Sequence, residues 1–125
     1  MPVRPNFERS TISAGGAPVP VRFYRSAMAQ PQPLVLHLPG GTFTAMPDER
    51  PVAALLAEAG AAVISADYPT GPAHPFPDAV EAMYALLRHL HDHRAQWAAR
   101  ASKLFVAGEE AGGNLAAALA MMARD

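Results

Sequence analysis

Three short apolar runs recur along the chain, and each is followed by a loop or a helix. They lie within Leu34–Leu38, Ala61–Ala66 and Lys103–Ala107. Continuous apolar runs of this length, without strict alternation, are typical of buried parallel strands. The pattern therefore predicts a parallel sheet whose strands are joined through helices.

Helical periodicity follows each of the three runs. Asp48–Ala59 is predicted as a helix with Asp48 as N-cap and Pro51 in its first turn. Asp78–Ala99 carries a second helix, and Leu115–Met122 lies in a third. One face of the second helix collects apolar residues every three or four positions, namely Val80, Met83, Tyr84, Leu87 and Leu90.

The N-terminal part has a different pattern. Ser10–Ser13 and Val19–Arg25 are predicted as two short antiparallel strands around the turn Ala14–Pro18. Together with the strand–helix repeats, this order predicts the α/β class. We expect residues 1–125 to form one three-layer α/β/α sandwich with a mostly parallel sheet.

Composition narrows the class of protein. The 125 residues are half apolar with a net charge of −1, which is typical of one globular domain without a nucleic-acid-binding surface. The absence of cysteine excludes disulfides and cysteine-based zinc sites. No apolar run approaches a membrane span, and no signal peptide is recognisable at the N-terminus. We therefore expect a cytoplasmic protein without membrane contact, and nothing predicts a cofactor.

The segment Lys103–Asp125 combines a predicted strand, a turn of small residues and an apolar helix. Its turn contains the frame Gly108-x-Glu110-x-Gly112. In α/β-hydrolases the same unit is the nucleophile elbow, G-x-S-x-G, which holds a serine on a strained turn. Here Glu110 stands at the serine position.

Three segments resemble carboxylesterases of the hormone-sensitive-lipase type. They are PLVLHLPGGTF, which ends at Phe43, DYPTGPAHPFPDA at Asp67–Ala79, and GEEAGGNLAAA at Gly108–Ala118. The resemblance implies a partial α/β-hydrolase fold and acyl-ester hydrolysis by descent. It also implies that backbone N–H groups of Gly40, Gly41 and Ala111 form an oxyanion hole. The chain departs from the family's HGGG loop at Pro39 and Thr42.

Glu110 leaves three interpretations open. It is an inactivating replacement that the helix dipole tolerates, a carboxylate nucleophile as in related dehalogenases and epoxide hydrolases, or a solvated glutamate without a role. In the resembled family the triad acid and histidine follow the serine, and no segment here matches them. We therefore expect a catalytically incomplete hydrolase.

The alternative hypothesis is a non-enzymatic binding or assembly subunit that uses the idle pocket or an open sheet edge. The partners expected are a small ester ligand and either a second copy or a complementary C-terminal chain. In the sheet of the resembled family, the strand matching Lys103–Ala107 lies beside the one matching Leu34–Leu38. Its other side is then an unpaired apolar edge.

His37 and His74 are predicted to be structural, and the histidines near the end of the second helix are predicted to lie on its surface. His89 and His93 lie one helical turn apart, with Asp92 beside His93, but a third and a fourth ligand are not evident, and the charged end of a surface helix explains the cluster, so no metal site is predicted. His37 lies inside a buried strand and is expected to be a hydrogen-bonded core histidine. His74 lies in the Asp67–Pro77 loop.

Overall fold

The computed structural model describes residues 7–27, 33–40, 46–70 and 77–124. These residues form an alternating α/β arrangement with one short 3₁₀ helix at Arg94–Gln96. In chain order the elements are β1 Phe7–Ala14, β2 Ala17–Tyr24, β3 Leu34–Leu38, α1 Pro51–Glu58, β4 Ala62–Ala66, α2 Asp78–Asp92, β5 Leu104–Gly108 and α3 Ala111–Arg124.

The described strands form one sheet in the order β1-β2-β4-β3-β5. Strand β3 pairs in parallel with β4 on one side and β5 on the other. Strand β2 runs antiparallel to both of its neighbours, so it alone among the described strands is reversed. The predicted mostly parallel sheet is confirmed, and so is the placement of β5 beside β3.

The first two strands form a tight hairpin. Ala14 pairs with Ala17, which leaves Gly15 and Gly16 as a two-residue turn with φ of +62° and +84°. Positive φ at both positions matches the right-handed strand twist and favours glycine. The strands extend beyond the predicted Ser10–Ser13 and Val19–Arg25 segments at the N-terminal ends, and Arg25 lies outside β2.

Helices cover both faces of the sheet, as predicted. On one face α1 buries Ala53 and Ala57 against Val35 and Val63. On the other face α2 and α3 form the larger core with alternate residues of the same strands. The apolar face of α2 is confirmed, and its fully or largely buried residues are Met83, Leu86, Leu87 and Leu90.

Two helix boundaries were predicted wrongly. Helix α1 begins at Pro51 with Arg50 as N-cap, and no side-chain capping bond forms. The prediction of Asp48 as the N-cap fails because the segment before the helix is held by buried side chains. Arg22 donates to the Asp48 carbonyl, and Arg50 donates to the Pro47 carbonyl.

Helix α2 ends at Asp92 and does not continue toward Ala99. Both the backbone N–H and the imidazole Nδ1 of His93 bond to the carbonyl of His89, at 3.1 and 2.8 Å. His93 itself has a non-helical backbone. The side chain thus shares the carbonyl that accepts the last backbone bond, and His93 is the C-cap of α2.

Strand β5 and helix α3 are more exposed than their apolar sequences predict. Phe105 is 52% exposed and Met121 is 67% exposed. The reason is position, because β5 is the last strand of the described sheet and has a neighbour on one side. None of the helices in the described parts of the chain has the length and apolar character that crossing a membrane requires.

Candidate functional site

The turn between β5 and α3 has the geometry of a strained elbow. Glu110 has φ of +54°, a left-handed backbone conformation that is unfavourable for residues other than glycine. Its carbonyl accepts the N–H groups of Gly113 at 3.0 Å and Asn114 at 3.2 Å, which opens the first turn of α3. Glu110 is therefore presented, exposed, at the head of the helix.

The two flanking glycines are required by close backbone approach. A Cβ added at Gly112 would collide with the Leu38 carbonyl oxygen and lie 2.7 Å from the Pro39 oxygen. A Cβ at Gly108 would collide with the Gly112 carbonyl oxygen. The turn is thus closed on itself and packed against the end of β3.

Gly40 lies directly against this turn. A Cβ added there would lie 2.9 Å from both the Cγ and the backbone oxygen of Glu109. Ala111 is buried as the first residue of α3. The structure therefore brings Gly40 next to the elbow, whereas Gly41 lies outside the described residues.

A chain of buried polar side chains runs to the elbow from beneath. Arg50 donates through Nη1 to Ser65 Oγ at 3.1 Å and pairs with Asp67. Ser65 Oγ lies 2.8 Å from His37 Nδ1. His37 Nε2 lies 3.0 Å from a carboxylate oxygen of Glu109. The prediction that His37 is a hydrogen-bonded core histidine is confirmed, because the residue is fully buried.

Burial lowers the pKa of His37 below its ordinary value, although the Glu109 carboxylate acts in the opposite direction. The nearby Arg50 guanidinium lowers the pKa further. At neutral pH His37 is therefore an uncharged imidazole. Its bond to Glu109 is a hydrogen bond to a charged acceptor and not an ion pair.

Tyr68 supports the start of the glycine loop. Its hydroxyl donates to the Pro39 carbonyl at 2.6 Å, and its ring is buried. Burial, followed by the nearby Glu109 carboxylate, raises the pKa of the phenol. Tyr68 therefore remains a proton donor at neutral pH and holds the carbonyl immediately before Gly40.

Comparison with known proteins identifies the protein family in which this turn occurs. A family profile described as an alpha/beta hydrolase fold matches residues 35–125, which include β3 from its second residue onward, the elbow and α3. The chain belongs to the alpha/beta hydrolase fold family. Within that family the turn at Gly108–Gly112 corresponds to the nucleophile elbow.

Its relatives within the alpha/beta hydrolase family include esterases and lipases. The chain is 34% identical over 122 residues to carboxylesterase NlhH of Mycobacterium tuberculosis, covering 94% of this chain and 38% of that protein. It is 33% identical over 93 residues to human hormone-sensitive lipase, covering 72% of this chain and 9% of the lipase. The resemblance to this type of carboxylesterase is thereby confirmed.

Solved structures agree with this relationship. An esterase from Pyrobaculum calidifontis superposes with a TM-score of 0.85 at 38% identity, covering 99% of this chain and 41% of the esterase. A bacterial heroin esterase superposes with a TM-score of 0.83 at 32% identity, covering 95% of this chain and 39% of the enzyme. The chain thus spans less than half the length of these alpha/beta hydrolases.

The Arg50–Ser65–His37–Glu109 chain was not predicted from the sequence. One signal was available, because His37 and Ser65 are each the polar fourth residue of an apolar strand, and they pair in register in the parallel sheet. The participation of Arg50 had no such signal, since it was interpreted as part of a helix. In this alpha/beta hydrolase it lies before the helix and donates to the carbonyl of Ser65 on β4.

The histidines of α2 are arranged differently from metal ligands. The rings of His89 and His93 are stacked with centroids 4.2 Å apart, and His93 Nδ1 donates to a backbone carbonyl. Among the described residues no group of three or more histidine, aspartate or glutamate side chains has a metal-binding arrangement. His74 lies outside the described residues.

Proposed function

We propose that this chain provides the part of an acyl-ester hydrolase scaffold that contains the nucleophile elbow. With Glu110 at the nucleophile position, the chain does not itself hydrolyse esters. The observation that carries the proposal is the φ of +54° at Glu110, midway between the tightly packed Gly108 and Gly112. A serine at such a position attacks an ester through its hydroxyl. Glutamate instead offers a carboxylate on a longer side chain and has no hydroxyl for a general base to activate.

The proposal assigns the oxyanion-hole donors to the backbone N–H groups of Gly40, Gly41 and Ala111. Support comes from Gly40, whose backbone abuts the elbow. We further propose that the Glu110 carboxylate turns toward these donors, because a helix N-terminus favours an anion. A small ester ligand would then compete with the protein's own carboxylate for the site.

A general base is the second requirement for serine chemistry. Among the described residues, the imidazole that reaches the elbow is His37, and both of its nitrogens are engaged, one by Ser65 and the other by Glu109. It is also fully buried. His37 is therefore unsuited to take a proton from a nucleophile at position 110.

The test is hydrolysis of short p-nitrophenyl esters by the purified chain and by three variants. Glu110→Ala is the control for non-specific turnover. Glu110→Gln removes the negative charge of the carboxylate and keeps the size and shape of the side chain. Glu110→Ser introduces the family's nucleophile. We expect the wild-type chain, Glu110→Gln and Glu110→Ser all to remain at the rate of Glu110→Ala.

One outcome would overturn the proposal, and a second would overturn the expectation that the chain lacks a general base. Wild-type turnover that is lost in Glu110→Gln would identify Glu110 as a carboxylate nucleophile. Turnover in Glu110→Ser alone would mean that the chain holds its own base. Adding His37→Gln or His74→Gln to the serine variant would then identify that base.

A second candidate function is assembly through the edge of β5. Grooves of about 370 and 660 Å³ lie on the two faces of the sheet at this edge, and Phe105 lines both. We propose that a second copy or a complementary C-terminal chain pairs with β5 and covers Phe105. Light scattering at micromolar concentration tests self-association, and a monomer that melts cooperatively would count against it.

We also propose a cytoplasmic location, which cell fractionation tests.

A further inference from the structure

We propose that Arg50, Ser65 and His37 are positioning residues that hold Glu109, and with it the elbow, through one hydrogen-bond chain of fixed direction. The chain crosses β4 and β3 beneath the site and ends one residue before Glu110. This role goes beyond the proposed function, because the hydrogen-bond chain forms in the protein without any bound ester and does not depend on ester hydrolysis.

The direction of the chain begins at Arg50. A guanidinium has donors and no acceptor, so Ser65 Oγ must accept from it. Ser65 has a single hydroxyl proton, and the remaining partner of its oxygen among the described residues is His37 Nδ1. The proton therefore points to Nδ1, which must be the unprotonated nitrogen of the ring.

The tautomer of His37 follows from this. With Nδ1 as acceptor, a neutral imidazole carries its proton on Nε2 and donates it to the Glu109 carboxylate 3.0 Å away. The opposite tautomer would point a ring lone pair at a carboxylate and leave the Ser65 proton without an acceptor. A proton on Nε2 thus agrees with the donor at Arg50, from which the direction of the chain follows. Burial lowers the pKa of His37, which favours the neutral ring that this arrangement requires.

Both ends of the chain are anchored. Arg50 is almost fully buried, and its charge is compensated by Asp67 at the end of β4. At the other end Glu109 is 36% exposed in its side chain, and its backbone is pressed against Gly40. A carboxylate with that much access to water would otherwise adopt several rotamers. The bond from His37 selects one of them and fixes the residue next to the strained Glu110.

The first test is the tautomer of His37 by ¹⁵N NMR of the ring. We expect a protonated Nε2 and an unprotonated Nδ1 in the wild-type chain at neutral pH. Because Arg50 and Ser65 set the direction, the same tautomer should persist in Glu109→Ala. A ring protonated on Nδ1 in either protein, or a charged imidazolium in the wild type at neutral pH, would overturn the proposal.

The second test is hydrogen exchange at the amides of Gly113 and Asn114, which bond to the Glu110 carbonyl. Glu109→Ala should accelerate their exchange about tenfold or more, because it removes a hydrogen bond to a charged group. Glu109→Gln keeps an acceptor for Nε2 and should restore most of the protection. Glu58→Ala, an exposed change at the end of α1, is the matched control. Equal protection in Glu109→Ala and Glu58→Ala would overturn the proposal.

Discussion

The Nε2 atom of His37 lies 3.0 Å from a carboxylate oxygen of Glu109, and this contact joins the buried strand β3 to the elbow residue that precedes Glu110. The two residues are far apart in the chain and meet because β3 and β5 are parallel neighbours. The contact combines a fully buried neutral ring with a partly exposed charge. Its consequences are open to measurement.

The buried ring of His37 makes folding stability dependent on pH. Because burial lowers its pKa in the folded state, the unfolded chain binds more protons below the ordinary value near 6.5. The contribution is therefore complete above that pH and is lost as the pH falls, by at most about 1.4 kcal/mol per pH unit. Urea unfolding of the wild type between about pH 8 and about pH 5 should show this slope.

The matched variants for that slope are His37→Gln and His91→Gln. The first removes the buried ring, so its stability should fall less steeply on acidification even if it is lower at every pH. The second removes an exposed ring of α2 and should keep the wild-type slope. Identical slopes in all three proteins would contradict the assignment.

Adjacent glycines in the elbow should respond oppositely to alanine. At Gly112 an added Cβ would collide with the end of β3, so Gly112→Ala should lower the free energy of unfolding by about 3 kcal/mol or prevent folding. A Cβ added at Gly113 would lie 3.4 Å from its nearest neighbour, the Gly108 carbonyl oxygen, which is an ordinary contact distance. Gly113→Ala should therefore be neutral or stabilise α3 by up to about 1 kcal/mol. Thermal unfolding compares them. A tolerated Gly112→Ala would mean that α3 and β3 are less closely packed.

The left-handed backbone of Glu110 predicts an unusual effect of glycine. Glu110→Gly should raise the free energy of unfolding by up to about 1 kcal/mol, since glycine adopts positive φ without steric cost. Glu110→Val should lower it by a similar amount or more. As a control, Glu81→Gly in helix α2 should destabilise by about 1 kcal/mol. Stabilisation by valine would contradict the strained turn.

Phe105 should be the residue through which the edge strand associates. If β5 pairs with another chain, Phe105→Lys should shift the protein toward monomer in light scattering, because a charge opposes edge pairing. Leu55→Lys is the matched control, since Leu55 is 62% exposed on α1 and lines neither of the two grooves beside Phe105. If both variants shift the protein toward monomer equally, the association arises from exposed apolar surface in general. That outcome would count against a specific edge.

Much of this architecture was readable from the sequence because local pattern and burial agree. The apolar run at β3 is a fully buried strand with its predicted bounds, and the periodicity of α2 identified its core face. The frame around Glu110 was recognisable because a strained turn between close-packed elements requires glycine at particular spacings. Three motifs in order were sufficient to identify the family, which the profile match confirms.

Tertiary structure decided what depends on contacts between distant segments. Helix α1 starts at Pro51 because Arg22 and Arg50 hold the preceding segment, and no local signal reveals side chains that arrive from elsewhere. The exposure of Phe105 follows from the place of β5 in the strand order. The bond between His37 and Glu109 likewise required the sheet. Hydrophobic periodicity reports which face of an element is buried, whereas hydrogen-bond partners are set by the register and approach of separate elements.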